Sequence, residues 1–309
     1  MKRILSIDGG GIRGLIPALV LAHLEEATGR RVSELFDLIV GTSTGGILAC
    51  ALARGDENGV PLYSALDLAD LYRERGQDVF SGSTWDRIRT LGGVLDELYD
   101  HEELEAVLHH YLGDSLLSES LTHVMVTSYD IERRQTVFFK SWRDRFEQVR
   151  ALDACRATSA APTYFEPAHV DLDGDVRTLV DGGVFINSPA VSAYAEAIKL
   201  FPGEQFQMLS LGTGELTRTI HKEDADGWGK AGWLLPLLSC MFDGMADAAD
   251  HQMRLFLGER YQRLQLTLMG ANDDMDDATP QNLLKLEGLA HRMIEERSDV
   301  LGKVLGWFD

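Results

Sequence analysis

The chain has 309 residues, 45% of them hydrophobic and 25% charged, which is enough for a large core and ordinary for a water-soluble globular protein. A formal net charge of −20, from 29 basic against 49 acidic residues, argues against nucleic acid and against general electrostatic attraction to an anionic membrane. Cys50, Cys155 and Cys240 are far apart and odd in number, so they suggest neither a metal site nor a disulfide framework and point to a reducing compartment.

In chain order, Arg3–Ile7 reads as a first strand. The basic N-terminus is followed by an apolar stretch that stops at Asp8, so no signal peptide is expected. A glycine-rich turn leads to a helix over Leu15–Ala27, apolar at Leu15, Ile16, Leu19, Val20 and Leu24. Phe36–Val40 reads as a second strand and Ile47–Ala53 as the apolar part of a helix. The polar stretch Arg54–Val60 precedes helices near Tyr63–Arg75 and His101–Leu112, with loops marked by Gly82 and Gly92-Gly93. Val124–Ser128 and Gln135–Phe139 read as strands around the charged turn Glu132-Arg133-Arg134. A helix over Leu152–Thr158 stops at Pro162. A hairpin spans Ala168–Val180 with its turn at Asp171–Asp175, then a helix covers Val191–Leu200 and a strand covers Gln207–Leu211.

After Gly214 the character shifts. Polar residues run to Asp226, then come a Trp- and Leu-rich segment, Trp228–Met245, and a strand-like Arg263–Leu268. An acidic loop, Asn272–Asp277, leads to a final helix over Leu283–Leu305. Neither Leu15–Leu24 nor Leu234–Phe242 approaches the length of a membrane span. Strands alternating with helices predict an α/β fold, with a mostly parallel central sheet flanked by helices on both faces. Residues 1–214 form the expected core and residues 215–309 a more helical extension packed on it. The protein is expected to be soluble and cytoplasmic, and peripheral at membranes at most.

The chemistry begins at Gly41-Thr42-Ser43-Thr44-Gly45, between the second strand and a helix. Glycines suit a turn too tight for flanking side chains, and such a turn pushes the serine hydroxyl out at a helix N-terminus. Free N–H groups and the helix dipole favour developing negative charge there. Ser43 is therefore a candidate nucleophile, although a five-residue pattern of this kind also arises by chance.

Asp8-Gly9-Gly10-Gly11-Ile12-Arg13-Gly14 joins the first strand to the first helix. Its glycines match a dinucleotide-binding pattern, but that reading needs an acidic residue at the end of the next strand, where the serine turn lies instead. Consecutive glycines leave N–H groups that cradle an anion, here the oxyanion of acyl transfer. Val180-Asp181-Gly182-Gly183 supplies a carboxylate leaving a strand, able to accept the serine proton. Taken alone, Asp-Gly-Gly is also a common turn.

Together these segments resemble the patatin-like phospholipase family of lipid acyl hydrolases, which includes plant storage patatins and bacterial patatin-like enzymes. The matching runs are Ser6–Gly14, Gly41–Gly46, Ala157–Phe165, Val180–Gly183 and Leu209–Gly214, in family order. Gly183 stands where some members have alanine. The resemblance implies a three-layer α/β/α fold and a serine–aspartate dyad without histidine. By position Ser43 would be the nucleophile and Asp181 the base. The oxyanion hole would come from Gly9, Gly10 and Gly11, with N–H groups of Gly10 and Gly11 as donors and Thr44 adding to them. Asp8, Arg13, Gly14, Gly41, Gly45, Gly182 and Gly183 would support these motifs.

The implied activity is fatty-acyl ester hydrolysis through an acyl-enzyme, on phospholipid, lysophospholipid or galactolipid, with no metal or organic cofactor. A transient membrane or micelle surface is the expected partner; the oligomeric state is not legible. Two other readings stay open: a signal-regulated effector phospholipase, and a catalytically quiet storage or lipid-binding protein. A histidine base would have to be His221, His251 or His291, none of which lies in a distinctive loop. The cluster Trp228, Trp233, Leu234, Leu235, Leu237, Leu238, Met241 and Phe242 reads as a core helix over the sheet, or else as a cap on an acyl pocket or a contact with a lipid surface. Trp142, Arg143 and Arg145 read as a solvated face that could also meet a phosphate head group.

Overall fold

The computed structural model describes residues 1–80, 99 and 101–309, without the side chains of residues 224, 230, 231, 234, 235 and 238. The loops expected at Gly82 and Gly92-Gly93 lie outside the described residues, as do the side chains of Leu234, Leu235 and Leu238.

Among the described residues eight strands form one sheet: β1 Lys2–Ile7, β2 Leu38–Gly41, β3 His123–Asp130, β4 Gln135–Lys140, β5 Ala168–Leu172, β6 Asp175–Asp181, β7 Phe206–Leu211 and β8 Tyr261–Leu264. Their order is β5-β6-β3-β2-β1-β7-β8, with β4 also paired to β3. The central pairs β3–β2, β2–β1, β1–β7 and β7–β8 are all parallel. Such a sheet is covered on both faces, so its strands are apolar throughout rather than alternating. Leu5, Ile7, Ile39 and Leu209 pack into one core, against the helices Leu15–Thr28 and Thr44–Leu52. Ile4, Leu38, Val40 and Met208 turn to the other, beneath the helix Ala190–Leu200 and the end of the helix Lys230–Leu257. This is the three-layer α/β/α arrangement that the alternating elements predict.

The antiparallel strands β4 and β6 flank β3 in a way that shapes the site. Residues 125–130 of β3 pair with β4 along one edge. The opposite edge carries β2 opposite residues 123–126 and β6 opposite 128–130. β2 and β6 therefore meet head to head, Gly41 facing Val126 and Asp181 facing Ser128, with Thr127 between them.

Several elements differ from the sequence expectation. A one-turn helix, Val32–Leu35, precedes β2, which starts only at Leu38. From Lys230 onward the Trp- and Leu-rich segment belongs to one 28-residue helix, Lys230–Leu257, that runs through Pro236. β8 ends at Leu264 because only Tyr261–Leu264 pairs with β7. The last helix divides at Arg297 into Pro280–Glu296 and Ser298–Leu305. Thr279 caps the first of these by accepting from Asn282 N, with Pro280 at the first helical position. Among the described residues no helix is long and apolar enough to cross a membrane.

Candidate active site

Ser43 stands between β2 and the helix Thr44–Leu52 with φ 55° and ψ −125°. A left-handed φ is costly for a residue with a side chain, and it persists only where the surroundings impose it. The imposing contacts are specific. A Cβ on Gly41 would run into the Gly45 carbonyl, and one on Gly45 into the carbonyl of Ile7 in β1. Ser43 N donates to Thr158 Oγ1 at 2.8 Å. Thr42 Oγ1 shares a hydrogen bond with Thr127 Oγ1 at 2.8 Å and donates to the Ile186 carbonyl at 3.0 Å.

Asp181 arrives from the other direction, at the end of β6. Its N–H donates to the Ala160 carbonyl at 2.9 Å, and its Oδ1 accepts from Gly183 N at 2.7 Å. Burial pushes its carboxyl up to about 6, against hydrogen bonding from the Ser43 hydroxyl and the Gly183 N–H, which lower it. One stretch, Thr158–Ala160, thus holds the backbones of both Ser43 and Asp181.

The glycine loop closes the third side. Gly9 N donates to the Asn187 carbonyl at 3.1 Å, and Thr213 Oγ1 donates to the Gly9 carbonyl at 2.6 Å. Ile12 N donates to the Met275 carbonyl at 2.9 Å, and Arg13 Nε to the Gly10 carbonyl at 3.2 Å. The Gly9 N–H therefore already has a protein acceptor. The N–H groups of Gly10, Gly11 and Thr44 have no acceptor among the described residues. Gly10, Gly11, Ser43, Thr44 and Asp181 line one cavity of about 960 Å³, and Gly9 does not.

The lining of that cavity holds two kinds of residue. One is apolar, with Ile47, Leu71, Val79, Phe80, Leu108 and Phe165. The other is charged, with Arg13, Glu215, Asp243 and Asp247. Burial lowers the Arg13 guanidinium to about 10, although Asp243 and Asp273 pull it upward. Tyr72, on the π-helical turn Leu71–Arg75, hydrogen-bonds Thr44 Oγ1 and fills the space beside Gly14. Trp228, Pro236 and Phe242 line the cavity while Trp233, Leu237 and Met241 are exposed. The first half of the helix thus lines the cavity through Pro236 and Phe242; its other end, with Met253 and Leu257, packs over the sheet.

The family model described as Patatin-like phospholipase matches residues 5–194, a span that holds Ser43, Asp181 and the glycine loop. The chain belongs to the patatin-like phospholipase family. Membership makes it a lipid acyl hydrolase in its class of reaction. Patatin-like protein 2 of Oryza sativa subsp. indica is 32% identical over 96% of this chain and 84% of its own. Patatin-like protein 2 of Arabidopsis thaliana is 34% identical over 91% of this chain and 79% of its own. Among solved structures, human GIVD cytosolic phospholipase A2 aligns with a TM-score of 0.48 and 12% identity, covering 99% of this chain and 63% of that one.

Of the family motif residues expected from sequence, Asp8, Gly10, Gly11, Arg13, Ser43, Thr44, Asp181 and Gly183 line the cavity. Gly14, Gly41, Gly45 and Gly182 stand behind them, filled against by neighbouring atoms. No histidine lines the cavity among the described residues, and His221, His251 and His291 are all outside it. Trp142, Arg143 and Arg145 do not reach it either; Trp142 packs edge-on against His123 elsewhere. Sequence reading overlooked Tyr72, Asn187, Met275 and Arg263. Their partners lie far away in the chain, so no local spacing could have signalled them.

Proposed function

We propose that the protein hydrolyses fatty-acyl esters of phospholipid, lysophospholipid or galactolipid through Ser43 as nucleophile and Asp181 as base. Asp181 takes the proton from Ser43 Oγ as that oxygen attacks the ester carbonyl carbon. The carbonyl oxygen becomes an oxyanion, received by the N–H groups of Gly10, Gly11 and Thr44. The C–O bond to the alcohol then breaks, and Asp181 returns the proton to the leaving oxygen. Water attacks the acyl-Ser43 ester by the same route and releases the fatty acid. Residues 1–214 act in this reading as the catalytic core, with residues 215–309 packed on it.

The observation that carries the reading is the convergence of a strained Ser43, a buried Asp181 carboxyl and three acceptor-free N–H groups on one cavity. A cavity of this size, whose lining includes Ile47, Leu71, Val79, Phe80, Leu108 and Phe165, has apolar surface that suits an acyl chain. The test is hydrolysis of nitrophenyl butyrate by wild type, Ser43→Ala and Asp181→Asn, with fluorophosphonate labelling of Ser43. Near-wild-type turnover by either variant would overturn the dyad. An unlabelled wild-type serine would favour a catalytically quiet scaffold. Profiling the products from a mixed-lipid extract then identifies the head group.

A further inference from the structure

Asp8 directly follows β1 and starts the glycine loop. Its N–H is still in register, donating to Leu211 O at 3.0 Å, and the next residue leaves the sheet. Its carboxylate is buried, with only 1% of the residue exposed. Arg263, on β8, pairs with it: Nη2 lies 2.7 Å from Asp8 Oδ2, and Nη1 donates to Ser210 Oγ at 2.8 Å. Ser210 is opposite Arg263 on one side and Ser6 on the other. The guanidinium therefore reaches across β7, from the edge strand to the strand that carries the loop.

We infer that Arg263 is a positioning residue: through Asp8 it sets the turn that aims the Gly10 and Gly11 N–H groups at the reaction centre. The inference rests on the reading of Ser43 and the glycine loop given above. Burial alone would lower the Arg263 guanidinium, but Asp8, with smaller contributions from Tyr261 and Asp250, offsets this and the group is held above its ordinary value. A buried ion pair seldom adds net stability over an apolar pair of similar size, so its presence here calls for another role. Both residues line the cavity, and among the described residues Arg263 is the ion-pair partner of Asp8. The other loop anchors, from Thr213, Asn187 and Met275, are hydrogen bonds to its backbone. Among the described residues Arg263 alone fixes the side chain at its first residue, with a planar fork that lysine cannot reproduce. It lies beyond residues 5–194, the span matched by the family model.

The test uses the full chain, with wild type first shown to be labelled by a fluorophosphonate at Ser43. An unlabelled wild type would overturn the functional reading on which this one rests. With labelled wild type, Arg263→Lys, Arg263→Met and the double variant Asp8→Asn with Arg263→Met are compared on nitrophenyl butyrate. Binding of an alkyl trifluoromethyl ketone, which forms an oxyanion adduct, is compared with that of the matching methyl ketone. The expected kcat losses are roughly tenfold for lysine and roughly 100-fold for the methionine variants, with KM within about twofold. Affinity for the trifluoromethyl ketone falls in parallel, and that for the methyl ketone stays unchanged. The double variant leaves no buried charge unpaired, so it keeps a folded comparison available where Arg263→Met alone unfolds. A folded double variant with wild-type kcat, or equal losses for both ketones, would overturn the inference.

Discussion

Ser43 and Asp181 are suspended from the same three-residue stretch: Thr158 Oγ1 accepts the Ser43 N–H and the Ala160 carbonyl accepts the Asp181 N–H. The strained serine and the buried carboxylate are thereby referenced to one rigid point at the end of the helix Ala151–Thr158. Thr158→Val keeps the shape and removes the acceptor, leaving a buried N–H without a partner. A stability loss of about 1–3 kcal/mol is expected, with a larger fractional fall in kcat than in KM. Thr158→Ser should recover most of both. Urea unfolding and steady-state kinetics on the three proteins check this.

Removing Ser43 Oγ or the Asp181 charge is expected to lower kcat on nitrophenyl esters by about 10⁴-fold or more, by analogy with other nucleophile–base pairs. Because asparagine keeps an oxygen for the Gly183 N–H, Asp181→Asn should fold normally. Residual fluorophosphonate labelling in that variant should be slow, and Ser43→Ala should not label at all.

Activity should follow the ionisation of Asp181. In the proposed mechanism only the carboxylate accepts the serine proton, and burial raises its pKa to about 6. On an uncharged ester kcat/KM should therefore rise about tenfold per pH unit up to about pH 6 and level off above it. A profile that is flat from pH 4.5 to 7.5 would contradict the assignment.

The same shift makes a stability prediction of the opposite sign. The folded value, about 6, lies above the ordinary 3.8, so the folded state holds this proton more tightly than the unfolded chain. The resulting stabilisation is full below about pH 3.8 and is lost as pH rises through about 6. Above that, keeping the carboxylate charged in its buried site costs up to about 3 kcal/mol. Asp181→Asn never ionises, so it should melt higher than wild type at pH 8 and level with it near pH 3.5. Thermal scans at the two pH values decide the matter, and equal midpoints at pH 8 would count against it.

Gly182 and Gly183 are neighbours with different tolerances. A Cβ on Gly182 would stand 2.7 Å from Thr127 Cβ, where β2 and β6 meet, so alanine there should cost about 1–3 kcal/mol and shift Asp181. A Cβ on Gly183 would meet Asp181 Oδ1 at 3.2 Å and Phe242 at 3.5 Å, contacts that small movements relieve. Gly183→Ala should fold as wild type with less than about tenfold loss of kcat. Melting temperatures and turnover of both variants test the contrast.

The local sequence determined the elbow at Gly41–Gly45, the glycine turn at Asp8–Gly14 and the alternation of strands and helices. Each depends on residues within one turn or one strand: glycines where backbone crowds, apolar runs where a strand is buried, and a serine where a helix begins. Asp181-Gly182-Gly183 is an ordinary turn on that scale, and only its company with the other motifs marked it. The tertiary structure decided what that company means in space. β6 runs against β3 and meets β2 head to head at Thr127, which brings Asp181 to Ser43 from the opposite direction. It also committed the Gly9 N–H to Asn187, left the N–H groups of Gly10, Gly11 and Thr44 without an acceptor among the described residues, and stretched Arg263 across β7 to Asp8. These are pairings between distant segments, set by strand register and by which buried polar groups find partners, and no spacing along the chain encodes them.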